Sequence, residues 1–222
     1  MERDLAQKRD LKEQAVRSGY SLVGVAIIGL GAAILQVGGV GVDPYTALNI
    51  GVSDRIGWSL GSYQLLSNVV LFIPMLIWGR HYIGIGSIFN MVLTGFAIDL
   101  FSALLELALP EETSLLSMTV FFVIGIVVFA FGASAYMSAD VGMAPYDALA
   151  PMIVDRTRWE YRRVRVPQDV LVVILAVLFR GAVGFGTIMT AFFNGSLIQY
   201  FSERVHRPVL VRLTGEQAEE HA

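Results

Sequence analysis

Long apolar runs, interrupted by short polar or glycine-rich stretches, fill the chain from Gly19 to Tyr200. A membrane-spanning helix needs about 20 mostly apolar residues, because each residue rises ~1.5 Å against a hydrocarbon core of ~30 Å. Six runs reach or approach that length: residues 19–38, 60–78, 84–107, 115–137, 166–179 and 188–200. The first four suffice alone, whereas the last two either extend into their less apolar flanks or pack against the interior. Two further stretches, 45–56 and 146–154, are amphipathic and too brief to cross. The pattern predicts an all-α fold, a polytopic membrane helix bundle of about six transmembrane helices.

Positive charge gives the orientation, since cytoplasmic loops carry the excess of Lys and Arg. Five bases precede the first run, Arg80 follows the second, five arginines follow the fourth and three follow the sixth, which places fourteen of the sixteen on one side. Only Arg55 and Arg180 fall on the other, and the loop holding Glu111 and Glu112 has no base. Both termini are therefore expected to be cytoplasmic, and a five-span arrangement would break the asymmetry. The first seventeen residues mix four acids with five bases, too charged for a cleaved signal peptide. They read as a solvated or interfacial helix.

The chain also matches itself. At a shift of 101, Gly41-Val42-Asp43-Pro44-Tyr45-Thr46-Ala47-Leu48 falls on Gly142-Met143-Ala144-Pro145-Tyr146-Asp147-Ala148-Leu149, Asp54-Arg55 on Asp155-Arg156, and Trp58 on Trp159. At a shift of 100, Gly84-Ile85-Gly86-Ser87 meets Gly184-Phe185-Gly186-Thr187. Each repeat holds three runs, and an odd number forces the second copy into the membrane from the opposite side. The organisation expected is a cytoplasmic amphipathic segment (1–18), a first three-span repeat (19–109), a second, inverted repeat (110–202) and a cytoplasmic tail (203–222). Secondary transporters use this plan, with a midplane site lined by discontinuous helices.

Two sets of residues could carry function. Pro44 and Pro145 can each open a short helix, since proline fits the first helical turn. Asp43, Pro44 and Tyr45 in the first repeat, and Pro145, Tyr146 and Asp147 in the second, would then form re-entrant or gate segments, with helix-start amides pointing inward. The competing reading is an interfacial helix with its tyrosine in the aromatic belt. The second set is a polar face on the third and sixth runs. Asn90 and Thr94 lie four apart on one helical face with Asp99 beyond, and Thr190, Asn194 and Gln199 occupy the matching places. Such a face either lines a substrate pathway or joins helices by hydrogen bonds. Asp140 and Asp147 could hold a cation or simply be solvated, and the arginines of 158–165 read as a topology determinant.

Composition removes other classes. At 55% hydrophobic and 16% charged, with a mean hydropathy of +0.62, the chain has too little charge for a soluble domain, where about 25% is usual. A net charge of −3 gives no reason to expect a nucleic-acid partner. No cysteine means no disulfide, thiolate metal site or Cys nucleophile, and the three histidines at 81, 206 and 221 fall near or beyond helix ends. The Gly-x-Gly-Ser/Thr turns lack the ending and the strand context of a phosphate loop; their Ser87 and Thr187 read as caps of the next helix. No metal, no cofactor and no enzymatic activity are expected.

Gly-x-x-Pro-Tyr-x-x-Leu, followed by Ser59-Leu60-Gly61, the Gly-x-Gly-Ser/Thr turn and Ile98-Asp99, resembles the YczE/YyaS/YitT family of bacterial membrane proteins over roughly residues 20–201. Members often carry Trp where this chain has Tyr45 and Tyr146, and Gly-Thr in place of Gly86-Ser87. The resemblance implies a bacterial inner-membrane location and supplies no activity. The expected function is a small-molecule or ion transporter working by alternating access between inverted repeats. The alternative is a non-transporting accessory or scaffold subunit assisting another transporter or a biosynthetic pathway. The lipid bilayer is the partner expected throughout, and so narrow a bundle is compatible with a homodimer or a partner membrane subunit. Because native cysteine is absent, single cysteines at Thr46, Thr113, Asp147 and Gln217 give a background-free test of orientation in intact cells. Thr46 and Thr113 should react with an impermeant thiol reagent, and Asp147 and Gln217 only after lysis. Labelling of Thr46 and Asp147 from the same side would rule out the inverted arrangement.

Overall fold

The computed structural model describes the backbone of residues 2–108 and 114–215, with side chains from Leu11 onward. Glu111, Glu112, Thr113, Gln217 and His221 lie outside the described residues. The described chain is helical: α1 (Glu2–Val37), α2 (Pro44–Ile56), α3 (Leu60–Trp78), α4 (Ile85–Ala108), α5 (Leu115–Ser138), α6 (Pro145–Thr157), α7 (Tyr161–Leu178), α8 (Phe185–Phe192), α9 (Asn194–Phe201) and α10 (Arg207–Thr214), with a π-helical turn at Ser202–His206. The amphipathic N-terminal segment and the first apolar run form one unbroken helix.

Among the described residues, four helices are long and apolar enough to cross a membrane: Leu11–Val37, Leu60–Trp78, Ile85–Ala108 and Leu115–Ser138. The fifth and sixth runs differ for physical reasons. Helix α7 begins on a polar turn containing Arg162, Arg163 and Arg165, and the sixth run is broken at Phe193 into two eight-residue helices. Even so, α7 turns Val170, Leu171, Ile174 and Val177 outward, as α3 does Val69, Val70, Ile73 and Ile77. Large apolar side chains on the outside are the reverse of a water-facing surface.

Contacts between helix ends give the directions. Arg17 donates to the Ala139 carbonyl (3.3 Å) and the Ser138 and Ser202 hydroxyls meet at 2.8 Å. The lower part of α1 and the ends of α5 and α9 thus share one end of the bundle. At the other end Gly38 packs on Phe121 of α5, and the Gly61 amide opening α3 donates to Asp99 near the end of α4 (2.7 Å). Helices α1 and α5, the most extensively packed pair, run antiparallel. They approach closely where Gly24 and Gly132 each face the other's carbonyl, the small-residue packing that membrane helices favour.

The turns before α2 and α6 dock reciprocally onto the opposite half. The Val40 carbonyl accepts from the Gly186 amide (2.7 Å) and the Val141 carbonyl from Gly86 (2.8 Å). The Val42 amide donates to Ala182 (3.1 Å) and Met143 to Tyr82 (2.9 Å). Arg55 donates to the Leu178 carbonyl (3.0 Å) over the Phe179 ring, and Arg156 to the Trp78 carbonyl (3.3 Å) over the Trp78 ring. Ser87 and Thr187 do cap their helices, each hydroxyl accepting from the glycine amide three residues earlier at 3.1 Å. Helix α2 accordingly packs on α7, and α6 on α3. On the loop side, the Tyr82 hydroxyl donates to Asp155 (2.9 Å). Burial first, then that carboxylate, push the Tyr82 pKa up to about 12, so this tie keeps its proton through neutral pH.

Gly41 and Gly142 make the docking possible. Their φ values of +89° and +114° are left-handed, and a Cβ on either would run into the backbone of Gly184 or Gly84. Gly41→Ala and Gly142→Ala should therefore lower the thermal midpoint in detergent by more than Gly57→Ala. Gly57 shares the positive φ (+73°) but has open space around its Cβ position, so only the backbone cost of ~1–2 kcal/mol applies there. Equal losses at all three positions would mean that the turns do not approach as described.

Candidate functional site

Both short helices begin inside the bundle. Proline occupies the first turn of each, and in α2 the Asp43 carboxylate accepts from the Thr46 amide (3.0 Å). The chain is thereby set to place Tyr45 and Tyr146 immediately after each turn, and the two rings stack at 4.6 Å with an interplanar angle of 13°. The Tyr45 hydroxyl donates to Asn68 (2.8 Å) and the Tyr146 hydroxyl to Asp169 (2.7 Å), each partner 23 positions onward. Asn68 and Asp169 lie near the middle of α3 and α7, which puts the ring pair at mid-height.

A cavity of about 970 Å³ extends from the ring pair toward the end where Arg17, Asp140, Glu203 and Arg207 sit. Of the residues singled out from sequence, its wall includes Asp43, Pro44, Tyr45, Tyr146, Asp147, Asn90, Thr94, Thr190, Asn194 and Gln199. Two others stand apart. Pro145 is fully buried in the first turn of α6, and Asp99 caps α3 through the Gly61 amide, satisfying one of that helix's orphan donors. Asn194 opens α9 directly after the break in the sixth run and is 2% exposed. Its Oδ1, with Thr94 Oγ1 and Gln64 Oε1, finds no hydrogen-bond partner among the described residues.

The two halves of the wall differ in charge. Arg165 Nε donates to Asp169 (2.9 Å), its Nη1 to Asp147 (3.0 Å), and its guanidinium lies 5.0 Å from the Tyr146 ring centre. The corresponding residues of the first half are Gln64, Asn68 and Thr46, all neutral. Grouping Arg165 with the topology arginines overlooked this: its side chain is only 25% exposed and pairs with an Asp169 side chain exposed by 5%. The signal was present, because the shift of 101 that aligns the Pro-Tyr motifs also aligns Gln64 with Arg165 and Asn68 with Asp169.

Outward apolar faces, internal turns that satisfy one another's backbone, and a cavity with polar side chains at mid-height define a polytopic helical membrane protein with a solute-sized internal cavity. The chain belongs to DUF6198, a family of unknown function, whose model matches residues 15–203. It is 30% identical over 191 residues to the uncharacterized protein YyaS of Bacillus subtilis, covering 86% of this chain and 94% of that one. It is 26% identical over 190 residues to the uncharacterized membrane protein YczE of the same organism (85% and 86% covered). An uncharacterized Haemophilus influenzae protein is 29% identical over 188 residues (84% and 83% covered). The resemblance to YczE and YyaS read from the sequence motifs is thus borne out. No solved structure matches.

Removing Arg165 alone leaves the buried Asp169 charge without its cation, a loss that typically costs ~3–5 kcal/mol. Arg165→Gln should therefore depress the thermal midpoint strongly. The double variant Arg165→Gln/Asp169→Asn, which rewrites the pair as the first half's Gln64 and Asn68, should recover most of the loss. Four-way comparison of unfolding in detergent should give a coupling above ~1 kcal/mol; strictly additive effects would show that the pair is not coupled.

Proposed function

We propose that the protein transports a small molecule or ion across the bacterial inner membrane by alternating access between two inverted three-span repeats. The observation that carries this reading is the cavity itself. It is solute-sized, sets polar side chains in a mostly apolar wall, reaches mid-height, and ends where the starts of two short helices meet. Proteins of inverted-repeat design bind solute at such a place, with broken helices supplying backbone groups to the site. The interrupted sixth run, with Asn194 at its break, fits that role. Irregular backbone at membrane depth is tolerated where it lines a cavity.

In this reading α7 and the α8–α9 pair serve as the fifth and sixth spans, with Asp169, Thr187 and Asn194 buried in the interior. The paired contacts at shifts of 100 and 101 support a pseudo-twofold relation, because each backbone bond that seats the first turn on the second half has a counterpart from the second turn to the first half. The charge asymmetry makes the end carrying Arg17 and Arg207 cytoplasmic, so the cavity faces inward, with the stacked tyrosines and the Val40 turn closing the outer side. The wall of the pathway would then be Asn90, Thr94, Thr190, Asn194 and Gln199, while Asp99 acts through the start of α3.

Thr46, expected from the sequence to report the outer side, is 3% exposed and lines the same cavity as Asp147, so Ser59 replaces it, and single cysteines at Asp140, Ser59 and Asn194 test this. In oriented vesicles, Asp140→Cys should react with an impermeant reagent only from the cytoplasmic side and Ser59→Cys only from outside. Asn194→Cys should react from both sides, roughly 10- to 1,000-fold more slowly from outside if the outward state is populated at ~0.1–10%. Strictly one-sided labelling of Asn194→Cys would overturn alternating access and favour the accessory-subunit reading.

A further inference from the structure

Three carboxyl groups surround the ring pair. Asp43 lies just before Tyr45, Asp147 directly after Tyr146, and Asp169 accepts from the Tyr146 hydroxyl. One guanidinium, Arg165, answers them, and it is already engaged by Asp147 and Asp169. An anion entering here would meet Asp43, which pairs with no cation among the described residues, and an arginine already spent on two carboxylates. The other unsatisfied groups on the wall point the same way. Gln64 Oε1 and Asn194 Oδ1 are carbonyl oxygens that can only accept, and Thr94 Oγ1 is a hydroxyl with accepting lone pairs. All three belong to residues no more than 5% exposed and have no partner among the described residues. Gln64 and Asn194 reach the wall from different helices, α3 and α9, and Thr94 from α4, so the acceptors converge on the cavity from three sides. A buried acceptor left unpaired costs about 1–3 kcal/mol, so the wall lacks donors, and Asp43 beside them favours a donor that also carries positive charge.

Size and the rest of the lining narrow the class. A bare ion needs a small cage of oxygens, whereas about 970 Å³ is the size of a pocket for an organic molecule. Ile28, Phe129, Ala133, Met143 and Leu210 supply apolar wall beside the polar groups. We propose that the cavity binds a small organic cation, a primary ammonium group on an apolar body, with Asp43 facing the charge and Gln64, Thr94 and Asn194 accepting its N–H groups. This inference rests on the cavity being a solute site, and binding tests it separately from transport.

Three probes share one body and differ in charge: benzylammonium, benzyl alcohol and benzoate. Thermal midpoints of the full chain in detergent would be followed against each, at constant ionic strength. Benzylammonium should raise the midpoint in a saturable way, and the other two should not. Asp43→Asn retains an equally good helix cap while removing the charge, and should weaken the half-saturating concentration at least about tenfold. Thr94→Val should weaken binding too, while leaving the ligand-free midpoint unchanged or higher, because it deletes an unpaired buried hydroxyl. A saturable shift with benzoate, equal shifts with all three probes, or a benzylammonium shift undiminished in both variants would overturn the proposal. Cation binding together with one-sided labelling of Asn194→Cys would leave a cation site in a protein that does not transport. Two-sided labelling without cation selectivity would leave a transporter of some other solute.

Discussion

A peptide group that turns back inside a lipid-bounded bundle has no water to satisfy it, and each unpaired amide or carbonyl there costs several kcal/mol. This chain turns back twice, at Val40–Val42 and Val141–Met143, and each turn finds its partners in the backbone of the other half. Side chains would hold the backbones apart, so glycine stands at Gly41 and Gly142 and again at the receiving positions Gly184 and Gly84. Once the turns are seated, the prolines that follow can start helices in the interior, and the tyrosines after them come face to face. The cavity is the space left over beneath that junction. Backbone pairing between halves therefore comes first, and the site follows from it.

The polar groups beside the junction are costly in another way. A half-buried arginine paired with a buried carboxylate gains little net stability, because the desolvation of the pair offsets most of its attraction. The first half manages the same architecture with Gln64 and Asn68, and both versions hold a tyrosine hydroxyl at the same spacing. Since the neutral pair suffices to anchor the ring, stability alone does not call for the charged one. A structure that retains charge where an amide would serve, and leaves three acceptors unpaired nearby, departs from optimal packing in the manner expected of functional sites.

Much of this was legible in the sequence, and the limits have specific causes. Helix positions followed from apolar run length, and the shared faces of Asn90 with Thr94 and of Thr190 with Asn194 from four-residue spacing, because both are local properties. The Pro-Tyr and Gly-x-Gly-Ser/Thr pairs stood out at nearly one shift because turn chemistry limits the residues that can replace them. Asp99 was harder: its periodicity places it on a face of α4 but does not show that the start of α3 abuts that face. The break at Phe193 is a single residue within an apolar run, and hydrophobic periodicity is blind to it. Arg165 was counted with its neighbours because a charge census registers side, not depth.

The reciprocal turns also set a timetable. The Val40 carbonyl waits for an amide at Gly186, which lies about 150 residues further along the chain, so the pairing is strongly non-local. At ~5–20 residues per second of synthesis, the first turn is complete for roughly ten seconds or longer before its partner exists. For most of that interval α1, α2 and α3 are already made and have an unfinished interior. The last helices to emerge from the ribosome therefore close the fold at both ends, and a ribosome stalled before Gly186 leaves a first half whose inward turn has not yet found its place.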